Sequence, residues 1–484
     1  MKSVCEVSSF VRHIRDQNIL SMTASAAVAF FLWTSSPAAW ARVWIVDDDG
    51  PADFAEIQDA ITHAKNGDTI LVRPGEYDGF TIVQKGLKII GAGKDKVTIR
   101  GGPYYFLQIY DLNGVSELYL SGFTGIGLAA TSYASDNHGL IVMSDVVATN
   151  EPGVGNVSGP DFFYCDRCFL SRLEVVPDGI LSASGYLGGL GLYDGKFALS
   201  GCSVTGDEGG YSLCSAGKGD TGISAGKGRH YIARTSCYGG VGGITYWFDY
   251  WDQVCPCRGG AGGYGFVFSG DSTAIVAGDG SQVFQGGEGG ESQFSWYWNC
   301  WTYSGDGGNA LWIYPDPGKK RLVLSGMNLV PGMAGYSPDA NKEGEDGIAI
   351  EGDASVIETP DFPIPTLEAS GDFRPAGNVR LRYFGTPGDY VLTFVSSEFG
   401  FQNVKGIAGF PLHALPGGEI FRISETGLIP QGGVLDLDFP LPDDDDLVGL
   451  ILCLQGVTFP TSGSPPGSPA HLTNFDTIAI HENL

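Results

Sequence analysis

Methionine is scarce, with 5 residues in 484, and few stretches carry apolar residues at helical spacing, so a mainly α-helical fold is excluded. Basic residues are scarce too. Twenty-eight Lys and Arg face 55 Asp and Glu, a net charge of −27, which repels phosphate backbones and anionic headgroups and removes nucleic acid from the partners. Beyond the N-terminus no apolar run is long enough for a bilayer span. Cys-x-x-Cys-His is absent, which excludes covalent haem, and although Gly222-Ile223-Ser224-Ala225-Gly226 spells Gly-x-Ser-x-Gly, a nucleophile elbow needs a fold of alternating helices that this chain lacks. Gly91-Ala92-Gly93-Lys94 and the repeated Ser215-Ala216-Gly217-Lys218-Gly219 and Ser224-Ala225-Gly226-Lys227-Gly228 all lack the Walker pattern and read as turns.

What is abundant is glycine, 74 residues without a Gly-X-Y period, which rules out collagen and favours a turn-dense β architecture. The length suffices for two or three domains, and 43% hydrophobic residues supply a core.

Lys2, Arg12 and Arg15 precede the apolar stretch 19–33, and Ala39-Trp40-Ala41 offers small-x-small spacing, so residues 1–41 read as a cleavable signal peptide. The mature protein is then expected to be extracellular or at the cell surface, with no membrane span after cleavage. Nine cysteines remain, eight of them between Cys165 and Cys300, which suits an oxidising compartment and leaves at least one thiol free. Cys165-Asp166-Arg167-Cys168 and Cys255-Pro256-Cys257 lack the second pair and nearby histidines that zinc would need.

A strand at 43–46 is followed by Asp53-x-x-Glu56, a capping box before Phe54, Ile57, Ala60, Ile61 and Ala64 at helical spacing. The period then becomes two: Thr69-Ile70-Leu71-Val72, Phe80-Thr81-Ile82, Leu87-Lys88-Ile89-Ile90 and Val97-Thr98-Ile99, with similar units onward to Leu322-Val323-Leu324 at solenoid spacing. Trp44-Ile45-Val46-Asp47-Asp48-Asp49-Gly50, then Ile57-Gln58-Asp59-Ala60-Ile61 and Gly67-Asp68-Thr69-Ile70-Leu71-Val72-x-Pro74-Gly75-x-Tyr77, resemble the first turn of secreted right-handed parallel β-helix proteins of the pectate-lyase-like superfamily. The match is specific over 43–100 and only periodic over 101–358. The resemblance implies an all-β chain: a three-faced coil over 42–358 with a short helix capping its N-terminal end.

Gly-Gly-x-Gly-Gly recurs at 239–243, 259–263 and 286–290, where glycine is expected to supply positive-φ turns at one corner of the coil. Two aromatic insertions, at about 244–258 and 291–306, should stand off the coil as loops. They carry Trp247, Trp251, Trp296, Trp298 and Trp301, flat faces on which a sugar ring stacks, and Cys255, Cys257 and Cys300. A disulfide from Cys255 or Cys257 to Cys300 would tie the loops if they share a face.

Residues 359–366 form a proline-rich linker. Beyond it, over 367–484, six strand candidates, with Leu435, Leu437 and Phe439 alternating against Asp436 and Asp438, read as a small β-sandwich. It resembles the C-terminal β-domains that close many large secreted bacterial proteins. Cys453 is expected to be a buried thiol.

For function, the expectation is binding of polysaccharide or other cell-surface glycan without catalysis and with no required cofactor. A polysaccharide lyase or glycoside hydrolase on acidic glycans is the alternative, with Asp207, Glu208, Lys227 and Arg229 as its catalytic residues. The wider constellation adds Lys218, Asp220 and His230, in which acidic groups would hold Ca²⁺ while a base removes a proton. The acidic runs 47–49 and 443–446 are further places for Ca²⁺. The polygalacturonase-type signatures are absent, Asp136-Asn137-His138-Gly139 being the nearest match. A purely structural or adhesin repeat needs no site.

Overall fold

The computed structural model describes residues 42–482 except 113–115, 132–136, 150–160, 164, 177–188, 211–215, 245–256, 296–299 and 417–420. The expected signal peptide therefore lies outside the described residues. Two compact units are present, Ala41–Pro363 with His481–Leu484, and Ile364–Ile480.

In the first unit, short strands pair in parallel with the equivalent strand one coil later and build three ladders. One ladder starts with Val43–Val46, Thr69–Val72 and Lys88–Gly91, and ends with Gly195–Ser200, Gly228–Ala233, Ser272–Ala277 and Lys320–Ser325. The second includes Ser203–Thr205, Ser236–Tyr238, Val283–Gln285 and Asn328–Val330. The third includes Leu190–Tyr193, Ile223–Ala225, Phe266–Phe268, Leu311–Ile313 and Ile350–Gly352. Three parallel ladders wound by one chain make a parallel β-helix, and equivalent inward side chains stack from coil to coil. Phe197, His230, Ala274 and Leu322 form one such buried row.

Helix α1 (Ile57–His63) packs Ile57, Ala60 and Ile61 into this core. The expected capping box does not form. Glu56 is the N-cap without a side-chain hydrogen bond, because Asp53 instead accepts from the Ile45 N–H at 3.0 Å and ties the loop to the first strand. At the other end Lys85 Nζ donates to the carbonyls of Ile61, Thr62 and Ala64 at 2.5, 3.1 and 2.9 Å, where a cation is favoured by the helix dipole.

In the later coils the chain between the second and third ladders follows neither a strand nor a turn. Segments 206–210, 239–243, 286–290 and 332–336 lie side by side, as do 216–222, 258–264, 303–310 and 342–348. Every third residue bonds to the same neighbour. Gly239 and Gly242 donate to Gln285 and Glu288 of the next coil, whereas Gly240 and Gly243 donate to Asp220 and Gly217 of the facing layer. The partners advance in parallel within a layer and in antiparallel between layers. This threefold period, with all hydrogen bonds going to neighbours, is that of packed polyproline-II helices.

The glycines are therefore not the positive-φ turns expected: none of 239–243, 259–263 or 286–290 has positive φ. They are required because a Cβ would strike backbone. At Gly239 it would lie 2.2 Å from Gly263 O, and at Gly262 1.9 Å from Gly287 O. The third residue of each period, such as Val241 or Glu288, faces solvent, which explains the Gly-Gly-x pattern.

The second unit has a three-stranded antiparallel sheet (Thr366–Gly371, Asn378–Phe384, Val434–Pro440) and a five-stranded sheet (Ala408–Gly409, His471–Ala479, Ile451–Phe459, Tyr390–Ser396, Phe421–Leu428). Leu367, Leu381 and Tyr383 of the first share one apolar cluster with Val391, Leu454 and Ile478 of the second. The last of the expected strands is longer than its apolar end, Ile478-Ala479: it spans His471–Ala479, whose Asn474 and Asp476 are buried. Their carboxamide and carboxylate accept from the Leu367 and Ala369 N–H groups, both at 2.7 Å, so polar side chains take the place of a strand partner there. Cys453 is a buried free thiol.

Candidate functional site

The antiparallel relation of the two glycine layers brings the last residues of the first-layer segments and the first residues of the second-layer segments to one end. Segments of the first layer finish near Gly210, Ile244, Gly290 and Tyr336, and those of the second begin near Ala216, Cys257, Tyr303 and Lys342. The third connection is a hairpin, Phe294–Ser295 pairing antiparallel with Cys300–Trp301. Its base is closed by Gln293 N–H donating to Thr302 Oγ1 at 2.8 Å and Thr302 N–H donating to Gln293 O at 2.9 Å. The insertion expected at 291–306 is thus shorter, because from Tyr303 the chain already belongs to the second layer.

The described part of this tip is aromatic and charged. Tyr303 and Tyr336 are 40% and 65% exposed, and Trp301 is half-buried. Lys342 Nζ lies 5.4 Å from the Tyr303 ring centroid and donates to the Trp301 carbonyl. Arg258 Nε donates to Ser304 O at 3.3 Å and its guanidinium pairs with Asp306. Trp247, Trp251, Trp296, Trp298 and Cys255 lie outside the described residues, as does the side chain of Cys300. Cys257 is buried and disulfide-bonded, to a partner that is not among the described side chains.

A second aromatic group gathers around Trp312, which falls in the same stretch of sequence as the insertion tryptophans. Tyr264 and Trp312 have centroids 4.6 Å apart, Trp312 and Tyr314 4.9 Å, and Lys218 Nζ sits 3.3 Å over the Tyr264 ring. Reading Gly-Gly-x as a period of three would have marked Tyr264 as outward-facing, and the alternation Leu311-Trp312-Ile313 marks Trp312.

Of the residues proposed for catalysis, Asp207 and Glu208 interact, while Lys227 and Arg229 have partners of their own. Asp207 is buried within the glycine layers, while its neighbour Glu208 is exposed on the outer face. Burial pushes the Asp207 carboxyl up to about 7, with Asp220 and Glu208 adding to the rise. Burial also raises Asp220, to about 6, against the pull of Lys218, whose own ammonium burial lowers to about 8. Lys227 lies in an exposed turn and pairs with Asp194 at 2.9 Å. Arg229 stands on the first ladder, where it bonds to Tyr231. His230 is fully buried, stacked on Phe197 with centroids 5.5 Å apart. Its Nε2 lies 2.8 Å from Gly226 O, and burial lowers it to about 4, so it is a neutral core residue rather than a base in a groove.

Asp47, Asp48 and Asp49 can bring ligand atoms within 4.8 Å of one another. Asp47 already holds Arg73 at 3.2 Å and the Gly50 N–H at 3.2 Å, and Asp48 accepts from the Glu76 N–H at 3.0 Å. Asp444 accepts from the Asp446 N–H at 3.0 Å at the start of a 3-10 turn. Cys165 and Cys168 are buried free thiols: a register shift between Cys165 and Arg167 turns both inward. His138 is exposed and pairs with Asp166 at 3.0 Å; Asp136 lies outside the described residues. Among the described residues no helix is long and apolar enough to cross a membrane.

No family model matches the chain, and no curated protein matches it. Among solved structures it is similar to the enzymatically active domain of bacteriophage CBA120 tailspike protein 2, with 12% identity, a TM-score of 0.21, and coverage of 87% of this chain and 68% of that one. It is similar also to Escherichia coli ybhc, with 12% identity, a TM-score of 0.19, and coverage of 71% of this chain and 93% of that one. The β-helix assignment rests on the strand pairing above.

Proposed function

We propose that the protein is an exported, right-handed β-helix protein of the pectate-lyase-like kind that binds polysaccharide or cell-surface glycan through the tip of its glycine layers, without cleaving it. The observation that carries this reading is the convergence at one end of the segment ends that the four connections join. Their sequences hold Trp247, Trp251, Trp296, Trp298 and Trp301, and their described floor adds Tyr303, Tyr336, Arg258 and Lys342. Flat rings beside a few polar groups suit a pyranose, whose C–H face stacks while its hydroxyls find donors and acceptors. The rival lyase or hydrolase reading has less support, since Asp207 is buried and Lys227 and Arg229 are held by other partners. The shared core of the two C-terminal sheets supports reading that unit as the expected β-sandwich.

The test is a pull-down of the protein on a panel of insoluble acidic and neutral polysaccharides, comparing wild type with Trp301→Ala/Tyr303→Ala. Loss of retention by at least about tenfold, some 1.4 kcal/mol, is expected for the double variant. Retention unchanged in that variant moves the site elsewhere. Unsaturated uronate absorbance or new reducing ends, with or without Ca²⁺, would replace the binding reading by the catalytic one.

A further inference from the structure

Asp68 stands in the turn between α1 and the strand Thr69–Val72, beside the first strand Val43–Val46, and is 7% exposed. Its side chain takes three donors. Oδ1 accepts from the Arg42 N–H at 2.9 Å, and Oδ2 accepts from the Lys65 N–H at 2.9 Å and from Trp44 Nε1 at 3.1 Å. Burial raises the carboxyl, but these donors and the charge of Lys65 outweigh it and hold the group below its ordinary value, so it is a carboxylate in the fold. All three donors are nevertheless neutral, and among the described residues no cation forms an ion pair with it. The Arg42 guanidinium lies instead 3.4 Å over the Trp44 ring. Buried carboxylates are ordinarily paired with an opposite charge, and this one has a place for it.

That place is the Arg42 main-chain nitrogen. Arg42 is held on both sides of its backbone, its N–H by Asp68 and its carbonyl by the Thr69 N–H at 2.9 Å. Ala39-Trp40-Ala41, the small-x-small pattern of a signal-peptidase substrate, ends directly before it. Hydrolysis of the Ala41–Arg42 peptide bond by such a peptidase consumes one water, leaves a carboxylate on Ala41 and turns the Arg42 amide nitrogen into an ammonium. The nitrogen need not move to meet Asp68. A neutral hydrogen bond becomes a charge-assisted one, about twice as strong, to a carboxylate that the fold has already desolvated.

We infer that Asp68 is the socket for a new N-terminal ammonium on Arg42, released by cleavage after Ala41, and that this ion pair locks the first strand of the β-helix once the chain is processed. The inference rests on the export reading.

The test begins by secreting the full chain from a bacterial host and reading the mature N-terminus by intact mass, with a start at Arg42 expected. An uncut chain overturns the inference together with the export reading; a cut elsewhere overturns the inference alone. A leader of known cleavage point then replaces the native one, so that the mature protein starts either at Arg42 or at Ala39. At about pH 6.5 the Arg42 form should melt at least about 2 °C above the Ala39 form. Pairing raises the α-amine above its ordinary value of about 8, so the gain is full below that pH and is lost as the pH rises through the raised value. Lys65, His63 and the Arg42 guanidinium are common to both forms, so the difference between them isolates the amine. It should also vanish in Asp68→Asn. Equal melts at about pH 6.5, or a gain that survives at about pH 10 or in Asp68→Asn, overturn the socket. Should Asp68→Asn fail to fold, the pH dependence of the difference decides.

Discussion

Replacing Gly308 by alanine tests the account of the glycine layers most directly. The added Cβ would meet Gly263 O at 1.9 Å, Gly263 C at 2.7 Å and Gly262 C at 2.9 Å, all backbone and none able to swing aside. Gly308 also donates to Gly287 O and accepts from the Gly332 N–H, both at 2.8 Å, so a shift that relieves the clash stretches two bonds of the layer. Overpacking of this kind costs about 1–3 kcal/mol, and two weakened backbone hydrogen bonds add about 1 kcal/mol each. Against this, alanine stiffens the unfolded chain and returns about 0.4–1 kcal/mol. The net expectation is a loss of about 3 kcal/mol, or on the order of 4–5 °C in a melt of a unit the size of Ala41–Pro363. Gly67→Ala is the comparison: its φ of +91° is strained for alanine but nothing lies within 4 Å, so only about 1–2 kcal/mol is lost. Denaturant melts of both variants measure the difference. If Gly308→Ala is no worse than Gly67→Ala, glycine is not there to admit neighbouring backbone, and the packing argument falls.

His230 should make stability depend on pH. Its folded value lies near 4, below the ordinary 6.5, so the unfolded chain takes up a proton that the folded one refuses. Stability is full above about pH 6.5 and falls by about 3 kcal/mol as the pH drops towards 4; His230→Phe should lose that slope, read as the difference between two pH series of denaturant melts, and an unchanged difference refutes it. In the C-terminal unit, Asn474 accepts from the Leu367 N–H at 2.7 Å and donates to its carbonyl at 2.8 Å. Asn474→Ala strands both groups and should destabilise that unit by about 2–4 kcal/mol by chemical denaturation, whereas a loss under about 1 kcal/mol would mean water replaces them.

The ladders were legible because each coil repeats an apolar triplet: Phe197-Ala198-Leu199 and Leu322-Val323-Leu324 announce inward stacking through a period of two. Asp53-x-x-Glu56 misled because a capping box and a strand-to-loop tie use the same residue types, and only the position of the Ile45 N–H decides between them. Gly-Gly-x-Gly-Gly was visible but its meaning was not, since glycine serves positive φ and close backbone approach equally well. The choice is made by partners tens of residues away, such as Gln285 for Gly239. For the same reason Asp207 read as a catalytic acid: nothing near it in sequence reports that it is buried within the glycine layers. The strand His471–Ala479 hid because Thr473, Asn474 and Asp476 face a polar interior contact rather than an apolar one.

The far edge of the glycine layers, at 332–336 and 342–348, bears on how this chain can grow. Each added coil brings one more connection to the tip, so the number of loops there is counted by the number of glycine segments. A new coil can be spliced only between existing ones, where glycine rows await it on both sides. After the last segment it would meet Ala334, Glu343 and Asp346, with the Ala334 N–H already donating to Asp346 Oδ1 at 2.8 Å. That edge is closed to a further glycine segment, whereas a coil inserted between existing ones would find glycine rows on both sides.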